Sequence, residues 1–201
     1  MATIGPIYAK ASNYNNLGNT YGWIGDDGKQ AYIGVYSGQQ YASRFQFAIP
    51  AIGDGRPVKI TSAYIKLYRN HDSQAVPSVT VRLDSRTNSV YSSTKLVAGG
   101  GTFTTFNLSE SQRNTLASRG NSNVWFYFDG TGTRARFTGA SNGSYTQAQH
   151  PNLTITWQYT TSTAKITSGY YDAAATLTVT KAYSNYTHKV EWLLPDQKTV
   201  Y

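Results

Sequence analysis

The residues able to do covalent or metal chemistry are few and scattered. The 201 residues include three histidines, ten carboxylates and no cysteine, against 17 tyrosines and four tryptophans. No Gly-x-Ser-x-Gly elbow, His-Glu-x-x-His pair, Walker loop or Cys/His cluster is present, so the parts for triad hydrolysis, zinc peptidase chemistry or a nucleotide phosphate cradle are missing. Glycoside hydrolysis needs two carboxylates flanking one bond, and the acids here fall mostly in turns with nothing to pair them. The chain therefore reads as noncatalytic. Asp26-Asp27-Gly28 has the layout of a turn. Its other reading is half of a calcium loop, but no further acid follows at the required spacing, so the expectation is no cofactor. Gly130-Thr-Gly132 likewise reads as a hairpin turn, since no long helix follows to make it a phosphate loop.

Sugar binding asks for less: an aromatic face to stack on C–H patches, and amides, carboxylates or arginine to hydrogen-bond hydroxyls in fixed directions. Trp23, Tyr64, Tyr68, Asn70, His71 and Asp72 are the candidates. The two tyrosines point away from the core in the strand register below, and the other four sit in loops that can converge at one end of a sandwich. Each tyrosine alone also fits a plain coat on an outward strand face.

The elements that position these residues centre on Tyr41 to Arg69. Phe45, Phe47 and Ile49 share one face of a first alternating run, and Ala63, Ile65 and Leu67 share one face of a second. Gly53-Asp54-Gly55-Arg56-Pro57 turns the chain between them, and the pair reads as a hairpin that sets a sandwich core. Upstream, Ala11 to Thr20 is polar and reads as loop, while Ala31 to Tyr36 reads as strand. Downstream, Val76 to Leu83, Thr102 to Leu108, Arg134 to Phe137 and His150 to Tyr159 read as strands. Ser109 to Arg119 reads as a short helix capped by Ser109 and stopped by Gly120. Asn123 to Asp129, with Val124-Trp-Phe-Tyr-Phe128 at its heart, is apolar enough for a central strand buried on both faces or nearly so. Eight or nine strands over about 155 residues is the spacing of a sandwich or jelly roll.

After Thr160-Thr-Ser-Thr163, which reads as a linker, a second alternating pattern of about three strands begins. The expected domains are 1–159, a linker 160–163, and 164–201 as the start of a further β domain that is marginal alone. Charged residues make up only 14%, and Ser, Thr, Asn, Gly and Tyr cover the outer faces instead. The net charge of +8 arises from 18 basic residues against ten acids, and no two basic residues are adjacent. Dispersed charge of this kind is a solvated surface rather than a specific nucleic-acid site, and it also suits attraction to anionic cell-wall polymers. No apolar run is long enough to span a bilayer and the start lacks a signal-peptide layout, so neither membrane insertion nor export is expected.

Two resemblances follow. Arg44-Phe-Gln-Phe-Ala-Ile-Pro50, Ile60-Thr-Ser-Ala-Tyr-Ile-Lys-Leu-Tyr68 and Pro151-Asn-Leu-Thr-Ile-Thr-Trp157 resemble, in that order, the strands of DNRLRE-type jelly-roll domains, relatives of carbohydrate-binding modules. The family tends to carry an Asp after the Phe where this chain has Gln46-Phe47-Ala48, so no role of that Asp carries over. Leu177-Thr-Val-Thr-Lys-Ala-Tyr-Ser-Asn-Tyr-Thr-His-Lys-Val190 is similar to the hairpin that opens immunoglobulin-like repeats in tail proteins of siphoviruses infecting Gram-positive bacteria. His188 within it reads as a packing or hydrogen-bonding residue. The resemblances imply an all-β chain: a jelly-roll β-sandwich followed by a partial second immunoglobulin-like β-sandwich. They imply a phage virion protein of the tail, baseplate or fibre. The partners expected from them are host cell-surface glycan or cell-wall polymer, other virion proteins, and further copies of the chain, a trimer by analogy with fibres. The alternatives are an assembly or decoration protein that binds only virion proteins, and a carbohydrate-binding module of a bacterial surface protein.

Overall fold

The computed structural model describes residues 1–16, 29–70, 77–86, 93–96 and 98–160, and beyond them the strands at 163–166, 177–180, 192–193 and 199–200. The chain divides into two compact units, Met1–Gln158 and Tyr159–Tyr201. In chain order the first carries β1 (Ala2–Tyr8), β2 (Ala11–Asn16), β3 (Gln30–Tyr36), β4 (Gln39–Ile49), β5 (Val58–Tyr68), β6 (Ser78–Leu83), β7 (Ser93–Leu96), β8 (Phe103–Asn107), α1 (Glu110–Ala117), β9 (Ser122–Thr131), β10 (Ala135–Thr138) and β11 (Asn152–Tyr159). In the second, β12 (Thr163–Ile166) pairs antiparallel with β13 (Leu177–Thr180), and β14 (Trp192–Leu193) with β15 (Thr199–Val200).

The first unit is an all-β sandwich of two antiparallel sheets. The smaller has the order β1-β11-β5-β8, and the larger runs β10-β3-β4-β9-β6-β7 with β2 added on β4. Phe45, Phe47 and Ile49 of β4, Val124, Phe126 and Phe128 of β9, and Val79, Val81 and Leu83 of β6 point inward from the larger sheet and are all buried. Ala63, Ile65 and Leu67 of β5 with Phe106 of β8 meet them from the smaller sheet. Phe128 sits at the junction, its ring edge-on to Phe45 at 5.3 Å and to Phe106 at 5.3 Å, the geometry that aromatic quadrupoles favour.

Three expectations change. The Tyr41–Arg69 stretch is not a hairpin: β4 and β5 belong to different sheets, and the turn at Gly53–Gly55 carries the chain across the sandwich. Both strands bury one face in the same core, so their alternation is identical to that of a hairpin, while their backbones bond to other strands. Ala11 to Asn16, expected as loop, is a strand, held by a six-residue ladder to Tyr41–Gln46 rather than by apolar side chains. Finally, β9 is central, lying between β4 and β6, but it is buried on one face only; Trp125 and Tyr127 turn outward and are half-buried. The short helix is as expected, with Ser109 as N-cap and Gln112 completing a capping box.

The β3–β4 hairpin is built by Ser37 and Gly38, both at positive φ, as a tight two-residue connection requires. Only Gly34–Tyr36 pair with β4, because β3 bends at Gly34 and its first half, Gln30–Ile33, pairs with β10 instead. Where the strands part, the buried Ser43 hydroxyl replaces the missing ladder, accepting from the Tyr32 amide and donating to the Tyr32 carbonyl, each at 2.9 Å.

Candidate functional site

Outward residues of the larger sheet form ordered rows, because antiparallel register sets side chains of neighbouring strands directly opposite one another. One row runs Asn13, Arg44, Tyr127, Arg82 across β2, β4, β9 and β6. The rows beside it contain Ala11, Gln46 and Trp125 on one side, and Asn15, Ala42, Asp129 and Thr80 on the other. The face thus combines two aromatics, three amides and two guanidiniums within about 15 Å, three strand spacings.

These side chains are held. The Arg44 guanidinium lies 4.4 Å above the Trp125 ring, and its Nε donates to Asn13 Oδ1 at 3.0 Å. A planar cation on an indole is a favoured stack, and it presents a flat polar plate in place of the bare ring. At the other end of the row, Asp129 accepts from Arg82 Nη1 at 2.6 Å through one carboxylate oxygen and from Arg86 Nε at 3.0 Å through the other. Asp129 is only 15% exposed, so this double clamp is screened less than a surface pair. Beside it lies an open cleft of about 270 Å³ lined by Gln40, Thr80, Arg82, Arg86, Asp129 and Thr131 among others. That is below the ~300–1,000 Å³ of pockets that enclose a small ligand, so the cleft suits a group projecting from a longer molecule laid across the sheet.

The expected site residues that are described, Tyr64, Tyr68 and Asn70, are placed apart from this face. Tyr64 and Tyr68 do point outward, as their register requires, but on β5 of the smaller sheet. Tyr68 packs edge-on to Phe103 at 5.1 Å and lies 5.9 Å from Tyr145, whose hydroxyl donates to the Asn70 carbonyl. The Asn70 side chain accepts from Arg136 Nε at 3.1 Å. The structure therefore brings Tyr68 and Asn70 together through Tyr145, with the Asn70 amide oxygen already engaged. Tyr64 stands apart, two side-chain repeats along β5, with the Lys66 ammonium 5.5 Å from its ring. Trp23, His71 and Asp72, the calcium candidates Asp26 and Asp27, and His188 with its hairpin lie outside the described residues. Among the described residues, no three His, Cys, Asp or Glu converge as a metal site, and no helix is long and apolar enough to cross a membrane.

A second tyrosine cluster is structural. Arg134 places its guanidinium 4.1 Å from the Tyr36 ring, 4.7 Å from Tyr32 and 4.9 Å from Tyr41, while Tyr14 closes edge-on against Tyr32 at 4.9 Å. The cation occupies the space a ligand would need, and it pins the bent β3 to the segment after β9, where Arg134 N–H also donates to the Val35 carbonyl.

Sequence reasoning missed Arg44, Trp125, Tyr127, Arg82, Arg86 and Asp129 as a group. The signal was present as alternation: Arg44 and Gln46 fall opposite in phase to Phe45 and Phe47, and Trp125 and Tyr127 opposite to Phe126. Pairing those phases across strands needs the register, which only the fold supplies. No protein-family model matches the chain, and no curated protein matches it either.

Proposed function

We propose that the chain is a noncatalytic bacteriophage virion component, of tail, baseplate or fibre, whose sandwich domain contacts host-surface glycan through the outer face of its larger sheet. The observation that carries the glycan reading is the row Asn13–Arg44–Tyr127–Arg82, an ordered strip of amide, guanidinium and phenol side chains on a rigid sheet. Such a strip offers directed hydrogen bonds to hydroxyls and a ring for C–H contact, with side-chain entropy already restricted by the Trp125 stack and the Asp129 clamp. The virion reading is supported by the resemblance of residues 177–190 to siphovirus tail repeats and that of the first domain to jelly-roll modules. Assembly with other virion proteins, as a homo-oligomer, belongs to the same reading.

The test is binding of the full chain to an array of bacterial envelope glycans and to purified cell walls. Tyr127→Ala is expected to weaken binding by roughly tenfold, the scale of one aromatic contact, while the protein still melts cooperatively with a loss of stability of about 1 kcal/mol or less. Tyr68→Ala, on the opposite sheet, is expected to leave it unchanged. Absence of binding to any envelope glycan overturns the glycan reading, and loss through Tyr68→Ala alone moves the site to the smaller sheet. Mass spectrometry of purified phage particles tests virion residence.

A further inference from the structure

The larger sheet's outer face is unbalanced in two respects. In charge, the outward residues of β2, β4, β9 and β6 include Arg44 and Arg82 against the single carboxylate of Asp129, the rest being uncharged; just past β6, Arg86 adds a third guanidinium to the Asp129 clamp, while Asp84 is paired with Arg119. In hydrogen bonding, its charged groups carry many more N–H donors than acceptor oxygens. Both Asp129 oxygens already accept guanidinium N–H groups, and the Asn13 amide oxygen is taken by Arg44. Amide and hydroxyl oxygens such as those of Gln46 and Tyr127 can accept from sugar hydroxyls, so it is the excess of guanidinium charge that favours an anionic over a neutral saccharide. Arginine offers N–H groups only, in a planar fork that fits two oxygens of one anion.

We infer that the saccharide received here is anionic: its repeating unit carries phosphodiester or carboxylate oxygens, and the Arg82–Asp129–Arg86 cleft takes that group. This rests on the glycan-binding reading of the same face and names its ligand class. Asp129 pre-sets both guanidiniums, so little side-chain entropy remains to be lost when an anion arrives. The cleft, at about 270 Å³, matches a substituent better than an enclosed chain. Nucleic acid shares the phosphate chemistry but suits this face less. Single strands use exposed aromatic rings as stacking platforms, and the Trp125 ring carries the Arg44 guanidinium.

The experiment compares the full chain, at low and at 0.5 M salt, on four immobilised probes: a glycerol-phosphate teichoic polymer, polygalacturonate, neutral dextran and single-stranded DNA. Tighter binding to one or both anionic saccharides than to dextran, by tenfold or more and lost in high salt, is the expected result. The two arms identify phosphate or carboxylate as the source. The quadruple variant Arg44→Gln, Arg82→Gln, Arg86→Gln, Asp129→Asn is expected to erase that preference while melting cooperatively. Lys59→Gln with Lys66→Gln, which removes two charges from the smaller sheet, is expected to retain it. If the quadruple variant does not fold, Arg86→Gln alone, at the most exposed of the clamp residues, must still lower the preference several-fold. Equal or better binding to dextran through the same residues overturns the anionic inference and leaves the glycan reading standing. Binding to none of the saccharides overturns the anionic inference, and the glycan reading then stands or falls on the envelope-glycan array. Loss in the lysine variant equal to that in the quadruple variant, or DNA binding as tight as polymer binding, also overturns the inference.

Discussion

Asp129 shows how one side chain is pulled two ways. As a structural group it pairs with both Arg82 and Arg86 on a half-buried sheet face, and as a neighbour of the cleft it competes with any anion for the same N–H groups. The two roles predict opposite signs for one substitution. Asp129→Asn keeps the shape but removes the charge, and is expected to lower stability by about 1 kcal/mol, the scale of a partly exposed charge pair, read as a shift in the urea midpoint. The same variant is expected to bind an anionic polymer several-fold more tightly at low salt, because the competing carboxylate is gone; weaker binding would show that the clamp's geometry matters more than its charge. Arg134 is different, since its three tyrosine neighbours leave it no second role. Arg134→Ala is expected to destabilise the hairpin end, by about 1–2 kcal/mol, without altering polymer binding.

Strand β3 is the element under most constraint. It serves two partners by bending at Gly34, whose φ of 109° is poorly accessible to other residues and where a Cβ would stand 2.9 Å from the Gly132 carbonyl oxygen and 3.0 Å from Arg134 Cα. Those neighbours are backbone and cannot step aside, so Gly34→Ala is expected to cost at least ~1–3 kcal/mol and to lower the melting temperature by roughly 2–4 °C per kcal/mol. Helix α1 is anchored more simply. Gln112 is fully buried, accepts from the Ser109 amide to close the capping box, and donates to the Val81 carbonyl at 3.1 Å. Gln112→Leu should therefore cost about 1–3 kcal/mol in chemical denaturation, the penalty for a buried carbonyl left without its donor. The same elements show what the sequence can disclose. Period-two alternation exposes which face of β4, β5, β6 and β11 is buried, and Ser-x-x-Gln discloses the helix start, because both are local. Strand β2 escaped because a ladder on β4 holds Ser-Asn-Tyr-Asn without an apolar stripe. The pairing of β4 with β9 instead of β5 escaped because alternation records burial and says nothing of the partner. The candidate face was lost with it: its residues are spread over four strands and become neighbours only through register.

At the scale of the molecule, the first unit contains every buried apolar residue in the described core, from Ala9 to Ile155. Its last strand, β11, inserts between β1 and β5, so the ends of the domain are joined within one sheet: Ala2 lies opposite Trp157 and Tyr8 opposite Asn152. Insertion of the last strand between the first and β5 is what makes such a domain cooperative, since β11 cannot peel away without splitting the smaller sheet and releasing β1. It follows that a chain ending at Thr160 retains the whole described core of the first unit and both of that unit's sheets. That fragment is expected to show a single thermal transition with intact near-ultraviolet dichroism from Trp125 and Trp157, whereas a chain ending at Gln149, which lacks β11, is expected to lose both. The contrast decides whether folding depends on the terminal strand: a cooperative fragment ending at Gln149 would mean that β5 and β8 suffice to cover the larger sheet. If the fragment ending at Thr160 folds, it also becomes the smallest form able to carry the Asn13–Arg44–Tyr127–Arg82 row, since all four strands that build it lie upstream of Thr131. Its affinity for the anionic polymer is then expected to match that of the full chain within about twofold, less than 0.5 kcal/mol. A larger loss would place part of the recognition in residues 161–201.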